Sequence, residues 1–205
     1  MKSIYKTPIL FFITFFYLNN LYANNWFTSA GNYNSSKYST LDQINQNNVD
    51  NLKKVWVYKN GFKPSKEKNN YSNNQATPIF TGKNLIVSSL DNSLIAINPE
   101  TGVEKWRLQL DGYLLAKRGF TYHDGNIFVP SSNGIYVVNE QNGKLNNKIG
   151  KNGIIGSELK SLSLVPPIIH DNKIFSIFLK VITSHDILTG KLLWKKDLNG
   201  ARVWS

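Results

Sequence analysis

The sequence contains no cysteine. Disulfides, thiolate metal sites and a lipid anchor attached through a thiol are thereby excluded. Arginine is nearly as scarce, since of the 24 Lys and Arg residues only Arg107, Arg118 and Arg202 are arginines. The guanidinium fork is the side chain best suited to two-point contact with a carboxylate, so each of the three is a candidate for a specific task. Long apolar runs are also lacking. The one from Ile9 to Leu18 falls well short of the roughly 20 residues that a bilayer crossing takes. Preceded by Lys2 and Lys6 and followed by Leu21-Tyr22-Ala23, it has the layout of a secretory signal peptide over residues 1–23. Export is therefore expected, with no transmembrane helix in the mature chain.

Acidic residues are few, 13 against the 24 basic ones, which leaves a formal charge of +11. A balance of that size ordinarily suggests a polyanionic partner. Here the lysines are scattered and asparagine occurs 27 times, so the excess of Lys, Asn and Ile reads as an A+T-rich coding bias. The densest basic stretch, Lys63 to Lys68, is interrupted by Pro64 and Glu67 and reads as a solvated loop. Nucleic acid is not expected as a partner.

What the chain does have is a repeat. Asn98-Pro99-Glu100-Thr101-Gly102 is followed four residues after its glycine by Trp106, and Asp186-Ile187-Leu188-Thr189-Gly190 is followed at the same offset by Trp194. Asn139-Glu140-Gln141-Asn142-Gly143 is a weaker copy, with Asn147 in the tryptophan position. The glycines are 41 and 47 residues apart, the range of a propeller blade. In each copy the Asn or Asp bonds its own backbone, and the glycine takes the positive φ that closes a bulged hairpin. Recurrence of the indole at one offset favours a docking role between neighbouring sheets.

Alternating runs fill the intervals. Thr77 to Phe80, Asn84 to Ser88 and Ser93 to Ile97 lead to the Trp106 strand, in which Glu104, Trp106, Leu108 and Leu110 share one face. Gly119 to Tyr122, Asn126 to Pro130 and Gly134 to Val138 repeat the plan across Asp124-Gly125 and Asn133-Gly134. Val165 to Ile169, Lys173 to Phe178 and Lys180 to Ser184 repeat it again. Before them, residues 24–53 read as an aromatic strap followed by one or two helical turns capped by Asn47 or Asn48, and Val55-Trp56-Val57-Tyr58 as a strand that Trp56, 50 residues before Trp106, places as the outer strand of a preceding blade. Four strands per repeat and no long helix predict an all-β partial β-propeller over residues 54–205, of three to four blades. So few blades cannot close a ring, and the expectation is either a chain truncated relative to a working protein, which is the favoured reading, or assembly with further copies. Asp91, Asp111 and Asp124 read as turn residues, and His123, His170 and His185 lack metal-ligand spacing.

Tyr38 to Asn45, Asn48 to Trp56, Gln75-Ala76-Thr77-Pro78, Arg118-Gly119-Phe120-Thr121-Tyr122 and the Thr-Gly-x-x-x-Trp turns together resemble the opening of the pyrroloquinoline quinone (PQQ)-dependent dehydrogenases. Those are periplasmic quinoproteins of the alcohol, methanol and glucose dehydrogenase group, built as eight-bladed propellers. The resemblance runs from Trp26 to Ser205. It implies that Arg118 pairs with PQQ, that Gln75 stands where some members have a cofactor-contacting Glu, and that Ser163, or equally Ser161, supplies a hydroxyl to a PQQ carboxylate. It further implies an alcohol or sugar substrate, an electron acceptor such as a cytochrome or quinone, and Ca²⁺ in the full-length relatives. Where alcohol-type relatives carry a Gly-rich loop with a calcium-binding Glu, Lys173 to Ser184 holds no acid, so no metal ligand is assigned. The catalytic residues are expected beyond Ser205. Arg202-Val203-Trp204-Ser205 resembles the start of a site segment. A non-catalytic scaffold propeller with the same repeats is the alternative, opposed by Arg118-Gly119 and the Tyr38 to Trp56 stretch.

Overall fold

The computed structural model describes residues 26–61, 75–111, 118–159, 163 and 165–199. The expected signal segment, the Lys63 to Lys68 loop, Ser161 and Arg202 to Ser205 lie outside the described residues.

Among the described residues, twelve strands form three four-stranded antiparallel meanders. The first sheet runs β1 (Ile79–Phe80), β2 (Leu85–Ser88), β3 (Ser93–Ile97) and β4 (Glu104–Gln109). The second runs β5 (Thr121–His123), β6 (Asn126–Ser131), β7 (Gly134–Asn139) and β8 (Ile154–Ile155), and the third β9 (Ile168–His170), β10 (Lys173–Phe178), β11 (Val181–Asp186) and β12 (Leu192–Asp197). This is the expected partial propeller. The expected helical turns reduce to a single 3-10 turn, Val49–Asn51, because the Asn48 side chain bonds backward to Asn45 N–H and Gln43 C=O instead of capping forward.

The sheets stack face to face. Between the first and second lie Ile79, Ile86, Leu94, Ala96 and Leu110 against Phe120, Ile127, Val129, Tyr136 and Val138. Between the second and third lie Phe128, Ile135, Val137, Ile149 and Ile155 against Ile169, Ile174, Phe178 and Ile187. The middle sheet is thus buried on both faces, which is why β6 and β7 read as nearly unbroken apolar runs while β12 is exposed along most of its length.

Each repeated turn is built as its sequence requires. Asn98 Oδ1 accepts from the N–H groups of Glu100 (2.8 Å) and Thr101 (3.1 Å), Asn139 Oδ1 from those of Gln141 and Asn142, and Asp186 Oδ1 from that of Thr189. Gly102, Gly143 and Gly190 sit at φ of 72°, 70° and 70°. An indole docks on each of the first two turns, Trp106 from the preceding sheet and Trp56 from the segment Val55 to Tyr58, which forms no strand among the described residues. Trp56 Nε1 donates to Pro99 C=O (3.0 Å) and Trp106 Nε1 to Glu140 C=O (2.8 Å). A Cβ built on Gly102 or Gly143 would lie 2.6 Å from the docked ring, so these glycines are required by close approach as well as by φ. Where Asn147 replaces the tryptophan, backbone takes over: Gly150 N–H donates to Thr189 C=O (2.8 Å) and lies flat on Gly190. The outer strand β8 of this sheet has two residues.

One facial assignment needs correcting. Glu104 does not share the Trp106 face. The ladder shifts between Ala96 and Ile97, so Ala96 faces Trp106 while Ile97 faces Glu104, leaving Lys105 as the extra residue. The bulge swings Glu104 to the Arg107 side, where it pairs with that guanidinium (3.0 Å) and with the Tyr58 hydroxyl. Lys105 instead reaches Asn84 Oδ1 (2.5 Å), on the side of a buried polar box in which Glu140 accepts from Thr81 Oγ1 (2.8 Å) and Asn84 Nδ2.

Candidate functional site

A meander has two rims. The docking turns occupy one. The other carries the loops that enter each first strand together with the β2–β3, β6–β7 and β10–β11 hairpins. Gln75 lies four residues before β1, Arg118 three before β5 and Ser163 five before β9. All three candidates therefore approach the same rim at corresponding places in successive sheets, opposite the docking turns.

Their surroundings differ. Gln75 and Arg118 are exposed. Arg118 is held by its neighbour: Gly119, at φ +100°, passes so close beneath the strap that an added Cβ would stand 3.1 Å from Ser29 Cβ and 3.5 Å from Thr77 C=O. Ser163 is fully buried; its N–H donates to Ser131 C=O (3.0 Å) and its hydroxyl is shared with Ser176 Oγ (3.3 Å). The geometry brings Gln75 and Arg118 to the solvent side of the rim and Ser163 to the seam between the second and third sheets.

The strap crosses the first strands themselves. Phe80 N–H donates to Trp26 C=O (2.9 Å), Tyr122 N–H to Phe27 C=O (2.8 Å) and Ile169 N–H to the Tyr33 hydroxyl (3.0 Å). Burial pushes the Tyr33 phenol up from its ordinary value, against the opposing effect of the Ile169 N–H, so it is a neutral hydroxyl at pH 7. Thr28 to Ala30, Asn32, Tyr33 and Ser35 together with Thr121 and Pro166 to Ile168 line a cleft of about 190 Å³ without charged side chains. That is below the roughly 300 Å³ at which pockets for drug-sized ligands begin, so the cleft by itself is not a cofactor cavity.

Sequence reasoning passed over two features. The strap aromatics gave no periodic signal, and nothing local marks Trp26, Phe27 and Tyr33 as partners of three separate strands. His185 is the other. It is fully buried on β11, neither ring nitrogen has a hydrogen-bond partner, and Nε2 lies 3.9 Å from the Glu158 carboxylate. Burial lowers its pKa from 6.5, with Glu158 acting in the opposite sense.

The profile of the family described as "Glucose/ethanol/alcohol dehydrogenase, beta-propeller domain" matches residues 26–161. The chain is 30% identical to quinoprotein glucose dehydrogenase A of Acinetobacter calcoaceticus, over 80% of this chain and 27% of the relative. It is 27% identical to the quinoprotein glucose dehydrogenase of Escherichia coli K12, over 84% and 27%. Among solved structures, a europium-containing methanol dehydrogenase superimposes with a TM-score of 0.63 at 21% identity, covering 85% of this chain and 32% of that one. A quinohemoprotein alcohol dehydrogenase of Comamonas testosteroni gives 0.61 at 22%, covering 85% and 27%. The structural likeness, at these identities, speaks for the fold. The chain spans 27% of the length of both glucose dehydrogenases it matches. Profile, relatives and three stacked meanders agree: the chain belongs to the PQQ β-propeller family of glucose, ethanol and alcohol dehydrogenases.

Proposed function

We propose that these residues are the N-terminal sheets of a periplasmic PQQ-dependent dehydrogenase that oxidises an alcohol or a sugar, exported by the segment 1–23. The observation that carries the reading is the common rim: an exposed arginine and an exposed amide stand at corresponding places on successive sheets, opposite the docking turns. This donor set fits PQQ, a tricarboxylate with an ortho-quinone, because a guanidinium fork and a carboxamide both donate to anionic or carbonyl oxygen. Bound PQQ supplies the two-electron acceptor for a hydride leaving the carbinol carbon of the substrate.

Arg118 binds a carboxylate or quinone oxygen and, fixed through Gly119 under the strap, orients it. Gln75 adds a neutral hydrogen bond. Ser163 joins them by accepting from Ser176 Oγ and turning its own O–H toward the cofactor, since either hydroxyl can be the donor of that pair. The proton acceptor for the substrate hydroxyl, the Ca²⁺ ligands and the docking face for a cytochrome or quinone acceptor are assigned to no residue of this chain.

The test is a PQQ titration followed by tryptophan quenching, with Ca²⁺ present, on the chain and on Arg118→Ala. Loss of a charged bidentate contact weakens binding by about tenfold or more, at roughly 1.5–3 kcal/mol per charge-assisted bond. Equal affinity of the two proteins, or no uptake by either, would remove the cofactor role from this rim.

A further inference from the structure

The three amides captured by the strap are equivalent. Phe80, Tyr122 and Ile169 are each the second residue of the first strand of their sheets. Each first strand has one ladder neighbour, and each of these N–H groups points to the other edge, toward the strap. An edge strand left open is a row of unmet donors and acceptors, and β1, β5 and β9, at two, three and three residues, are too short to hold themselves in place by ladder bonds alone. The strap meets them in order. Consecutive carbonyls, Trp26 and Phe27, serve the first and second sheets. The chain then turns back through the bond from Gly31 N–H to Thr28 C=O (3.0 Å), and the β9 amide is met by a side chain, the Tyr33 hydroxyl. Phe27 holds that ring edge-on, with centroids 5.3 Å apart at 77°.

We propose that the segment Trp26 to Tyr33 is a tie that sets the mutual placement of the three first strands, and that Tyr33 is its positioning residue for the rim carrying Arg118. The second sheet is where the tie and the rim meet, because Phe27 C=O receives the Tyr122 N–H three residues beyond Gly119, which itself lies against Ser29. Releasing the Tyr33 end frees the strap from β9 and loosens its hold on Gly119. The link to Arg118 rests on the cofactor reading above; the tie itself does not.

Amide hydrogen exchange on the full chain tests it. In the native protein the amides of Phe80, Tyr122 and Ile169 exchange with a shared opening free energy, as members of one cooperative unit do. In Tyr33→Phe, which keeps the ring and removes only the hydroxyl, exchange rises about tenfold at Ile169 and also rises at Tyr122 and Gly119. A rise confined to Ile169, or three unrelated protections in the native chain, overturns the tie, and the second result needs no variant to fold. PQQ quenching separates the two proposals. A Tyr33→Phe protein with weaker binding and spreading exchange supports both, unchanged binding with spreading exchange removes the positioning role alone, and absence of binding in the native chain removes the cofactor reading while exchange still decides the tie.

Discussion

At the scale of single residues the fold turns on glycines placed under indoles. Gly143 combines φ +70° with a would-be Cβ 2.6 Å from the Trp106 ring, whereas Gly125, at φ +73°, has nothing within 4 Å of the same position. Alanine at either site meets the left-handed backbone cost of roughly 1–2 kcal/mol. At Gly143 it must in addition push the indole off its bond to Glu140 C=O, worth about 1 kcal/mol net, and open the seam behind it. Gly143→Ala is therefore expected to lower stability by about 2 kcal/mol more than Gly125→Ala in urea denaturation. Equal costs would mean that the docked indole does not resist displacement. The turn itself was legible, since Asn, Gly and a tryptophan at a fixed offset leave few other backbones. The docking acceptors, Pro99 and Glu140 C=O, were not, because a carbonyl carries no side-chain signature.

At the scale of elements, strands were readable where one or both faces are apolar and less so where a backbone irregularity intervenes. β3, β6, β7 and β10 lie where alternation or continuous apolarity places them. The Trp106 strand was found, but its alternation breaks at the bulge, which periodicity cannot reveal when both Glu104 and Lys105 are polar. The weak second copy was readable as weak, yet only the structure shows backbone docking at Gly150 in place of the indole. The seam between the second and third sheets holds the other hidden element, His185. Its folded-state pKa lies below the 6.5 of the free side chain, so between the two values the unfolded chain binds a proton that the folded one refuses. The stability this lends is present above pH 6.5 and is lost as pH falls through the folded value, the exposed Glu158 carboxylate moderating the loss. Denaturation midpoints at about pH 7.5 and 5.5 should differ more in the native chain than in His185→Phe, which keeps a ring against Phe178 but cannot titrate. Identical pH responses would show that His185 takes its proton in place.

At the scale of the whole molecule, the docking series defines two unlike ends. Trp56 sits on the turn of the first sheet and Trp106 on that of the second. Trp194, at the matching place in the third sheet, remains 46% exposed beside Phe175, and Ile168 on the far edge strand of that sheet is 51% exposed. That these sheets do not close a ring was legible from the repeat count; the make-up of the rim was not, because a rim shared by several sheets is specified by residues from all of them. The same indole should therefore be worth different amounts at different places. Trp106→Ala removes a half-buried ring from the seam between the first two sheets and is expected to cost about 3–5 kcal/mol. Trp194→Ala, with no described turn to dock on, should cost less than about 1 kcal/mol in this chain. Joined to a further sheet bearing an Asn-x-x-x-Gly or Asp-x-x-x-Gly turn, Trp194 would donate its indole N–H to the carbonyl of the second turn residue, as Trp56 and Trp106 do. Its alanine cost would then rise to that of Trp106, and its fluorescence would shift to the blue. A Trp194→Ala cost already as large as that of Trp106→Ala in the present chain would mean that the third sheet is sealed by other contacts, and that its exposed face does not await a partner sheet.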